Sequence, residues 1–228
     1  MLYFNFMDQV YTRYTTTLLN RTHEYGDVYT FTFEKPRELT FASGNYAHIF
    51  LPTVQAPDKS TRKLSFASAP NDKELVFSTI TASHSPWKTK LLELKNGDTV
   101  EIFKIKGYLE IPKSGTLVMI ANGVGITPFR SIIREHFKES TPITPIFVHF
   151  GKDHYLYENE FSQLDFEQYR ITREQTEEIL NPIIERYKNA MYVVSGSPLF
   201  VENMTKTLQE KGIPENQIQT DSFDGLID

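Results

Sequence analysis

The sequence predicts two units in series: a six-stranded antiparallel β-barrel at 7–113 and an α/β unit with a five-stranded parallel sheet at 114–228. The first half contains six short β-rich runs separated by turn-forming residues, which is typical of a small antiparallel barrel. In the second half, strand-like runs alternate with helical segments, which indicates a parallel sheet with crossover helices. The boundary is expected near Lys113-Ser114-Gly115.

The barrel strands are predicted from runs that are rich in β-branched and aromatic residues. These runs are YTTTLLNR, DVYTFTFE, NYAHIFLP, RKLSFAS, ELVFSTIT and DTVEIFKI. One helix is expected between the fifth and sixth strands, where Ser85 and Pro86 precede WKTKLLELK. A hydroxyl residue followed by proline is typical of a helix start, with the hydroxyl as N-cap.

The strands of the parallel sheet are predicted from five further runs. They are LVMIA, PIFVHF, YRIT, MYVVS and QIQT, and helices are expected to begin near Thr127, Tyr157, Arg173 and Ser197. In an open parallel sheet, ligands bind beyond the carboxyl ends of the strands. Thr127 and Ser197 both follow such an end, so we expect a binding site there.

The segment LVMIANGVGITPFR at 117–130 combines a buried strand, a glycine turn and a helix start. Gly123 and Gly125 permit a tight turn, and Thr127 and Pro128 are predicted as the N-cap and the first helical residue. This arrangement would present free amide groups and the positive end of a helix dipole to a phosphate. Proline stands where a dinucleotide fingerprint has its third glycine, so the turn by itself fits a tight connection equally well.

Composition narrows the class of protein. A net charge of −5 with no basic block argues against nucleic acid as a partner. The absence of cysteine excludes disulfides, thiol catalysis and cysteine-ligated iron–sulfur clusters within this chain. No metal site is expected, because Gly151 interrupts helical spacing between His149 and His154. No stretch has the length of a membrane span, so a cytoplasmic location is expected.

These pieces, in this order, resemble the ferredoxin–NADP reductase family of flavoproteins over nearly the whole chain. The family's flavin motif, Arg-x-aromatic-Ser-x-x-Ser, is matched by RKLSFAS. The resemblance implies that Arg62 holds the flavin pyrophosphate, for which a guanidinium offers two donors, and that Ser65 hydrogen-bonds flavin N5. Lys63 and Ser68 belong to the same motif, whereas Leu64 departs from it by replacing the aromatic residue that stacks on the flavin.

Two more barrel segments resemble flavin-binding parts of this family. SGNYAHIFLP is similar to the PGQY strand, which implies that Tyr46 lies near the flavin, although a barrel-core position fits it equally well. SHSPWKTKL is similar to the phosphate-binding helix start, which implies roles for Ser85, Trp87 and Lys88. Trp87 is more simply read as a core residue on the helix face.

Three segments of the second half resemble the pyridine-nucleotide side of the family's site. The glycine turn is similar to the GxGxTP loop that accepts the nicotinamide, VVSGSP to a Cys-Gly-x-x motif, and DSFDG to the C-terminal acidic-x-Phe-x-Gly signature. The resemblance assigns cofactor-binding roles in these segments to Gly123, Gly125, Thr127, Pro128, Ser195, Gly196 and Phe223, and places Asp221 beside the isoalloxazine.

Coenzyme preference is expected to depend on the ends of the second and third parallel strands. ITREQ is similar to the family's Ser-Arg-Glu-Gln stretch, which implies that Thr172 and Arg173 bind a 2′-phosphate, with Lys152 sharing it. NADPH is therefore expected to be preferred over NADH. The alternative is that Asp153 binds a free ribose diol and favours NADH.

The resemblance implies a reductase with FAD on the barrel and NAD(P)H on the α/β unit. A hydride would pass from the nicotinamide to flavin N5, with Ser65, Thr127 and Asp221 as catalytic residues, and electrons would then leave to an external acceptor. Ferredoxin or flavodoxin is the first expectation for that acceptor, and a ferric chelate or an oxygenase component is the alternative. A different class, a non-catalytic nucleotide-sensing or interaction module, is favoured only by Leu64.

Overall fold

The first sheet is built from six strands in antiparallel pairs. The computed structural model describes residues 11–54, 60–107, 109–137 and 141–223. The strands are β1 (Arg13–Tyr25), β2 (Val28–Glu34), β3 (Tyr46–Phe50), β4 (Thr61–Ser65), β5 (Glu74–Ile80) and β6 (Thr99–Lys106), in the order β4-β3-β6-β1-β2-β5. The six predicted runs and their antiparallel pairing are thereby confirmed.

The two outer strands of this sheet meet and close it into a barrel. Beyond the end of β4, the amide of Ala67 donates to the carbonyl of Val76 on β5 at 2.8 Å. The amide of Val76 in turn donates to the hydroxyl of Ser68 at 3.1 Å. Closure satisfies backbone groups that would otherwise remain open on two sheet edges.

One helix covers an end of the barrel core. Helix α1 (Pro86–Glu93) begins at the N-cap Ser85, whose hydroxyl accepts from the amide of Lys88, as predicted. Trp87 is fully buried, and its indole nitrogen donates to the carbonyl of Ile49 at 3.2 Å. Trp87 therefore fixes the helix on the barrel with a large buried side chain whose polar atom is satisfied, and the buried Leu91 adds to this packing.

The second sheet is parallel throughout. Its strands are β7 (Gly115–Asn122), β8 (Ile143–Phe150), β9 (Glu167–Ile171), β10 (Met191–Gly196) and β11 (Ile218–Ser222), in the order β11-β10-β7-β8-β9. Its helices are α2 (Thr127–His136), α3 (Glu158–Phe161), α4 (Asn181–Arg186) and α5 (Pro198–Glu210). The predicted five-stranded α/β unit is confirmed. Because β7 begins at Gly115, the unit boundary expected near 113 agrees with the strand, although the division into 7–113 and 114–228 stays a prediction.

The prediction that Thr127 caps α2 is wrong. A 3₁₀ turn (Gly123–Ile126) begins directly after β7 and continues into α2, so Thr127 already lies within helical backbone. Its hydroxyl donates to the carbonyl of Val124 at 2.9 Å instead of accepting an amide hydrogen. Gly123, at φ +53°, makes the early turn possible, because this left-handed region strains residues that have a Cβ.

Helix α2 fastens the two units together. The guanidinium of Arg130 donates to the carbonyl of Ala67 at 2.8 Å. The hydroxyl of Ser131 donates to the carbonyl of Ser68 at 2.7 Å. One turn later, Arg134 forms a two-pronged ion pair with Asp72, with both distances 2.9 Å. Three successive contacts along one helix face therefore fix the parallel sheet against the segment that closes the barrel.

No helix within the described ranges has both the length and the apolar character needed to cross a bilayer. A cytoplasmic location stays a prediction.

Candidate functional site

A cleft of about 320 Å³ lies between the two units. Its walls come from β3, β4, β5 and α1 on the barrel side and from the glycine turn and the end of β11 on the other. The lining residues are Tyr46, Arg62, Lys63, Leu64, Ser65, Ser78, Thr79, Trp87, Lys88, Val124, Thr127, Thr220, Asp221, Ser222 and Phe223. Strands β7 and β10 are neighbours whose helical connections lead in opposite directions, and such a switch point is where ligands bind in open α/β sheets.

The barrel wall carries positive charge. Arg62 lies on β4 opposite Ile49, and Lys88 lies in the first turn of α1, where its residue is only 2% exposed. Both line the cleft, close to the amides at the start of α1. Two cations beside a helix N-terminus form an arrangement that suits a diphosphate. Next to them, Leu64 packs partly against the barrel core and offers an apolar surface.

The opposite wall depends on a close approach between two backbones. A Cβ placed on Gly125 would lie 2.3 Å from the carbonyl oxygen of Ser195 and 2.9 Å from the Cα of Gly196. Only glycine therefore lets the turn pack on the end of β10. This packing brings Val124 and Thr127 to the cleft, whereas Gly125 itself serves the contact between turn and strand.

Asp221 and Ser65 join the two walls. The hydroxyl of Ser65 donates to Oδ2 of Asp221 at 3.4 Å, so the last parallel strand contacts β4 across the cleft. Burial raises the pKa of the Asp221 carboxyl to about 6, with only partial compensation from that hydrogen bond. A carboxyl group that titrates near neutral pH and contacts a hydroxyl can hold or release a proton inside the cleft.

Ten of the residues expected at the flavin or nicotinamide lie in the cleft, and several others serve the fold. Ser68 is fully buried and accepts from Val76, and Ser85 caps α1; neither is among the cleft-lining residues. Pro128 is buried within α2. Ser195 is fully buried with no hydrogen-bond partner for its hydroxyl in the described part of the chain. The C-terminal residues 224–228 lie outside the described residues, whereas Phe223 lines the cleft.

A second cluster forms at the carboxyl ends of β8 and β9. Lys152 and Arg173 are exposed there, and Thr172 directly follows β9. The Thr172 hydroxyl, with the charges of Arg173 and Lys152, holds the pKa of the Glu174 carboxyl below its ordinary value. The residues predicted for a 2′-phosphate therefore lie around the Glu174 carboxylate, whose hydrogen bond with Thr172 the sequence reasoning missed.

The sequence reasoning also missed five lining residues: Ser78, Thr79, Val124, Thr220 and Ser222. Ser78 is the most informative of them. Alternation along β5 places Leu75 and Phe77 in the barrel core and Ser78 on the outer face, yet Ser78 is only 4% exposed. The alternation of residues along a strand identifies its outer face, but it does not show whether another unit covers that face.

The outer face of the barrel beside the cleft is cationic. Burial and the ammonium groups of Lys104, Lys63 and Lys106 lower the pKa of His48 to about 4. His48 lies on β3 opposite Lys63 of β4, and Lys63 also lines the cleft. Positive potential therefore continues from the cleft onto the exposed barrel surface.

Comparisons with known proteins find similar sequences. Residues 119–181 match the family model described as the oxidoreductase NAD-binding domain. A flavodoxin/ferredoxin–NADP reductase of Buchnera aphidicola is 29% identical over 177 residues, which cover 71% of this chain and 70% of that protein.

Solved structures share the fold at lower identity. The ferredoxin NADP+ reductase of Neisseria gonorrhoeae with bound FAD and NADP superposes with a TM-score of 0.77 at 18% identity, covering 92% of this chain and 98% of that one. The CS-b5R domains of human Ncb5or in the NAD+ form give a TM-score of 0.75 at 15% identity, covering 93% and 70%. In sequence and in fold, the chain is thus similar to ferredoxin–NADP reductases, which are NAD(P)H-dependent flavoprotein reductases.

Proposed function

We propose that the cleft binds FAD along the barrel wall and receives NAD(P)H from the α/β unit, so that a hydride passes between the two cofactors. The observation that carries this proposal is the contact between Ser65 and Asp221, because it joins the flavin motif of one unit to the nucleotide side of the other. Arg62 and Lys88 suit a diphosphate at one end of the same cleft, and Leu64 and Phe223 offer apolar surface for a ring system.

The chain's own residues bind, orient and handle protons in this reaction. When bound, FAD supplies an N5 atom that accepts a hydride and the capacity to release electrons to an acceptor. Thr127 and Val124 form the surface on which the nicotinamide would be oriented. Ser65 and Asp221 form a hydroxyl–carboxyl pair that can exchange a proton with solvent as the charge in the cleft changes.

Replacing Arg62 tests cofactor binding. We expect the purified protein to show flavin absorption in the visible and to release FAD on denaturation. Arg62→Ala should weaken FAD binding by about tenfold or more, because a charge-assisted pair to phosphate is lost. Arg37→Ala, at an exposed position in the turn after β2, is the matched control and should retain FAD. Colourless wild-type protein that takes up no added FAD would contradict the proposal, as would release of FMN instead.

Asp221 should make the stability of the flavin-free protein depend on pH. Its pKa is about 6 when folded against an ordinary value of 3.8, so the folded state binds more protons between these values. The free energy of unfolding should therefore fall as pH rises through this window and level off above it, by up to about 3 kcal/mol.

Asp221→Asn removes the charge and retains an acceptor for Ser65. Relative to the wild type, this variant should gain stability progressively from pH 4 to pH 7, measured by urea unfolding of flavin-free protein at each pH. Parallel pH profiles for the two proteins would show that the carboxyl titrates normally.

We propose NADPH as the preferred coenzyme. Lys152, Thr172 and Arg173 form a cationic and hydroxylic cluster at the carboxyl ends of β8 and β9, which suits a 2′-phosphate. Glu174 occupies the same cluster and would be displaced from Thr172 by a bound phosphate. Arg173→Ala should lower kcat/KM for NADPH by about tenfold while changing that for NADH little. Arg186→Ala, an exposed arginine on α4, is the control, and a wild type that prefers NADH would overturn the assignment.

We propose a small acidic electron carrier, ferredoxin or flavodoxin, as the acceptor. The relative from Buchnera aphidicola carries these names, and the face formed by Lys63, Lys104 and Lys106 would steer an acidic protein towards the cleft.

Neutralising this face tests the acceptor. A Lys104→Gln/Lys106→Gln variant should raise KM for a ferredoxin or flavodoxin several-fold at low ionic strength and flatten the dependence of its rate on salt. Reduction of a neutral quinone should be unaffected. Lys206→Gln, on the exposed face of α5, serves as control. Equal KM values for the acidic carrier in all three proteins would exclude this face as its docking surface.

A further inference from the structure

Three hydroxyl groups form a continuous chain behind the cleft. The hydroxyl of Ser78, which lines the cleft, lies 2.7 Å from that of Thr30 and 2.5 Å from that of Tyr157. Thr30 and Ser78 face each other on β2 and β5 of the barrel. Tyr157 comes from the α/β unit, where it directly precedes α3. The chain of hydroxyls therefore crosses from one unit to the other at a residue of the cleft wall.

The placement of Tyr157 is specific. Its backbone adopts the left-handed conformation at φ +62°, which is uncommon for a bulky residue and costs conformational free energy. Its ring lies beneath the guanidinium of Arg130, 4.8 Å from the ring centroid. That same guanidinium donates to the carbonyl of Ala67 and pairs with Glu160 at 2.6 Å. Burial raises the pKa of the Tyr157 phenol to about 12, so it stays neutral and keeps its proton.

Tyr157 therefore contacts both Arg130 of α2 and the cleft residue Ser78. Arg130, Ser131 and Arg134 hold the units together on the closing segment of the barrel, away from the cleft-lining residues. Ser78 and Thr127, by contrast, line the cleft from the two opposite units. The bridge from Ser78 to Tyr157 is thus a hydrogen bond between the units that ends on the cleft wall.

We propose that Tyr157 is a positioning residue that sets the spacing between the β5 wall and the Val124–Thr127 wall, and so the distance between hydride donor and acceptor. This inference rests on the proposed function. Separating the two walls would take the Ser78 hydrogen bond from the buried Tyr157 hydroxyl, which is costly, so this bond favours one arrangement of the walls. Hydride transfer requires the reacting atoms to be held close and aligned, and small displacements reduce its rate strongly.

The kinetic test uses the FAD-loaded protein reduced anaerobically by NADPH, or by NADH if that is the better donor, in stopped flow. Tyr157→Phe keeps the ring and removes only the hydroxyl. The rate of flavin reduction at saturating coenzyme should fall by about tenfold or more, while the half-saturating coenzyme concentration stays unchanged. Ser78→Ala should also slow the reaction, and the double variant should be no slower than Tyr157→Phe alone, because both changes act on the hydrogen bonds of the Tyr157 hydroxyl to the barrel.

A second readout needs no flavin. In the flavin-free protein, amide hydrogens of β5 should exchange faster in Tyr157→Phe and in Ser78→Ala than in the wild type. Tyr187→Phe is the matched control, because it also removes a tyrosine hydroxyl that donates to a side chain, the Glu167 carboxylate at 2.7 Å. Tyr187 is not among the cleft-lining residues, so this variant should leave both the saturating rate and the exchange of β5 unchanged.

The outcomes separate the two proposals. An unchanged saturating rate in Tyr157→Phe, or rate losses that add in the double variant, would overturn the positioning role while leaving the reductase intact. Equal β5 exchange in Tyr157→Phe and the wild type would overturn it as well. A wild-type protein that binds no FAD would instead refute the proposed function, and the exchange experiment would still decide whether the bridge fixes β5.

Discussion

The packing of α2 against the segment that closes the barrel is the contact on which the rest of the molecule depends. Arg130 and Ser131 donate to backbone carbonyls of Ala67 and Ser68, so two of its three contacts use rigid backbone on the barrel side. The same segment completes the barrel through its hydrogen bonds to β5. The backbone at Ala67 and Ser68 therefore both closes the barrel and binds α2. The cleft lies between the two units that this stretch joins.

Charge is distributed unevenly around this cleft. The barrel side carries Arg62 and Lys88 within the cleft and a cationic outer face beside it. The α/β side contributes one carboxyl group, Asp221, whose burial favours its neutral form up to about pH 6. An anionic cofactor is thus favoured along the barrel, and a proton can be held where the two units meet.

The nucleotide side of the cleft is built from tight backbone packing. The 3₁₀ turn after β7 lies on the end of β10 because Gly125 has no Cβ, and the carbonyl of Gly123 accepts a hydrogen bond from His149 at 3.1 Å. Burial lowers the pKa of His149 to about 4, so its ring stays neutral and can donate through one nitrogen at physiological pH. Because contacts at Gly123 and Gly125 fix this turn, Thr127 is held in one position. A fixed position is what oriented hydride transfer requires.

The sequence by itself determined the order and type of the elements, because strand runs, glycine turns and hydroxyl–proline starts such as Ser85 and Ser197 are local signals. It also identified most of the cleft, since motif residues such as Arg62, Ser65 and Asp221 lie at strand ends that the fold brings together. Tertiary structure alone decided the rest. Thr127 does not cap α2, because a 3₁₀ turn stabilised by packing precedes it. The carbonyl of Ser68 binds α2 through Ser131. Ser78 became a cleft residue because a second unit covers the outer face of its strand, and no local pattern encodes what will cover a face.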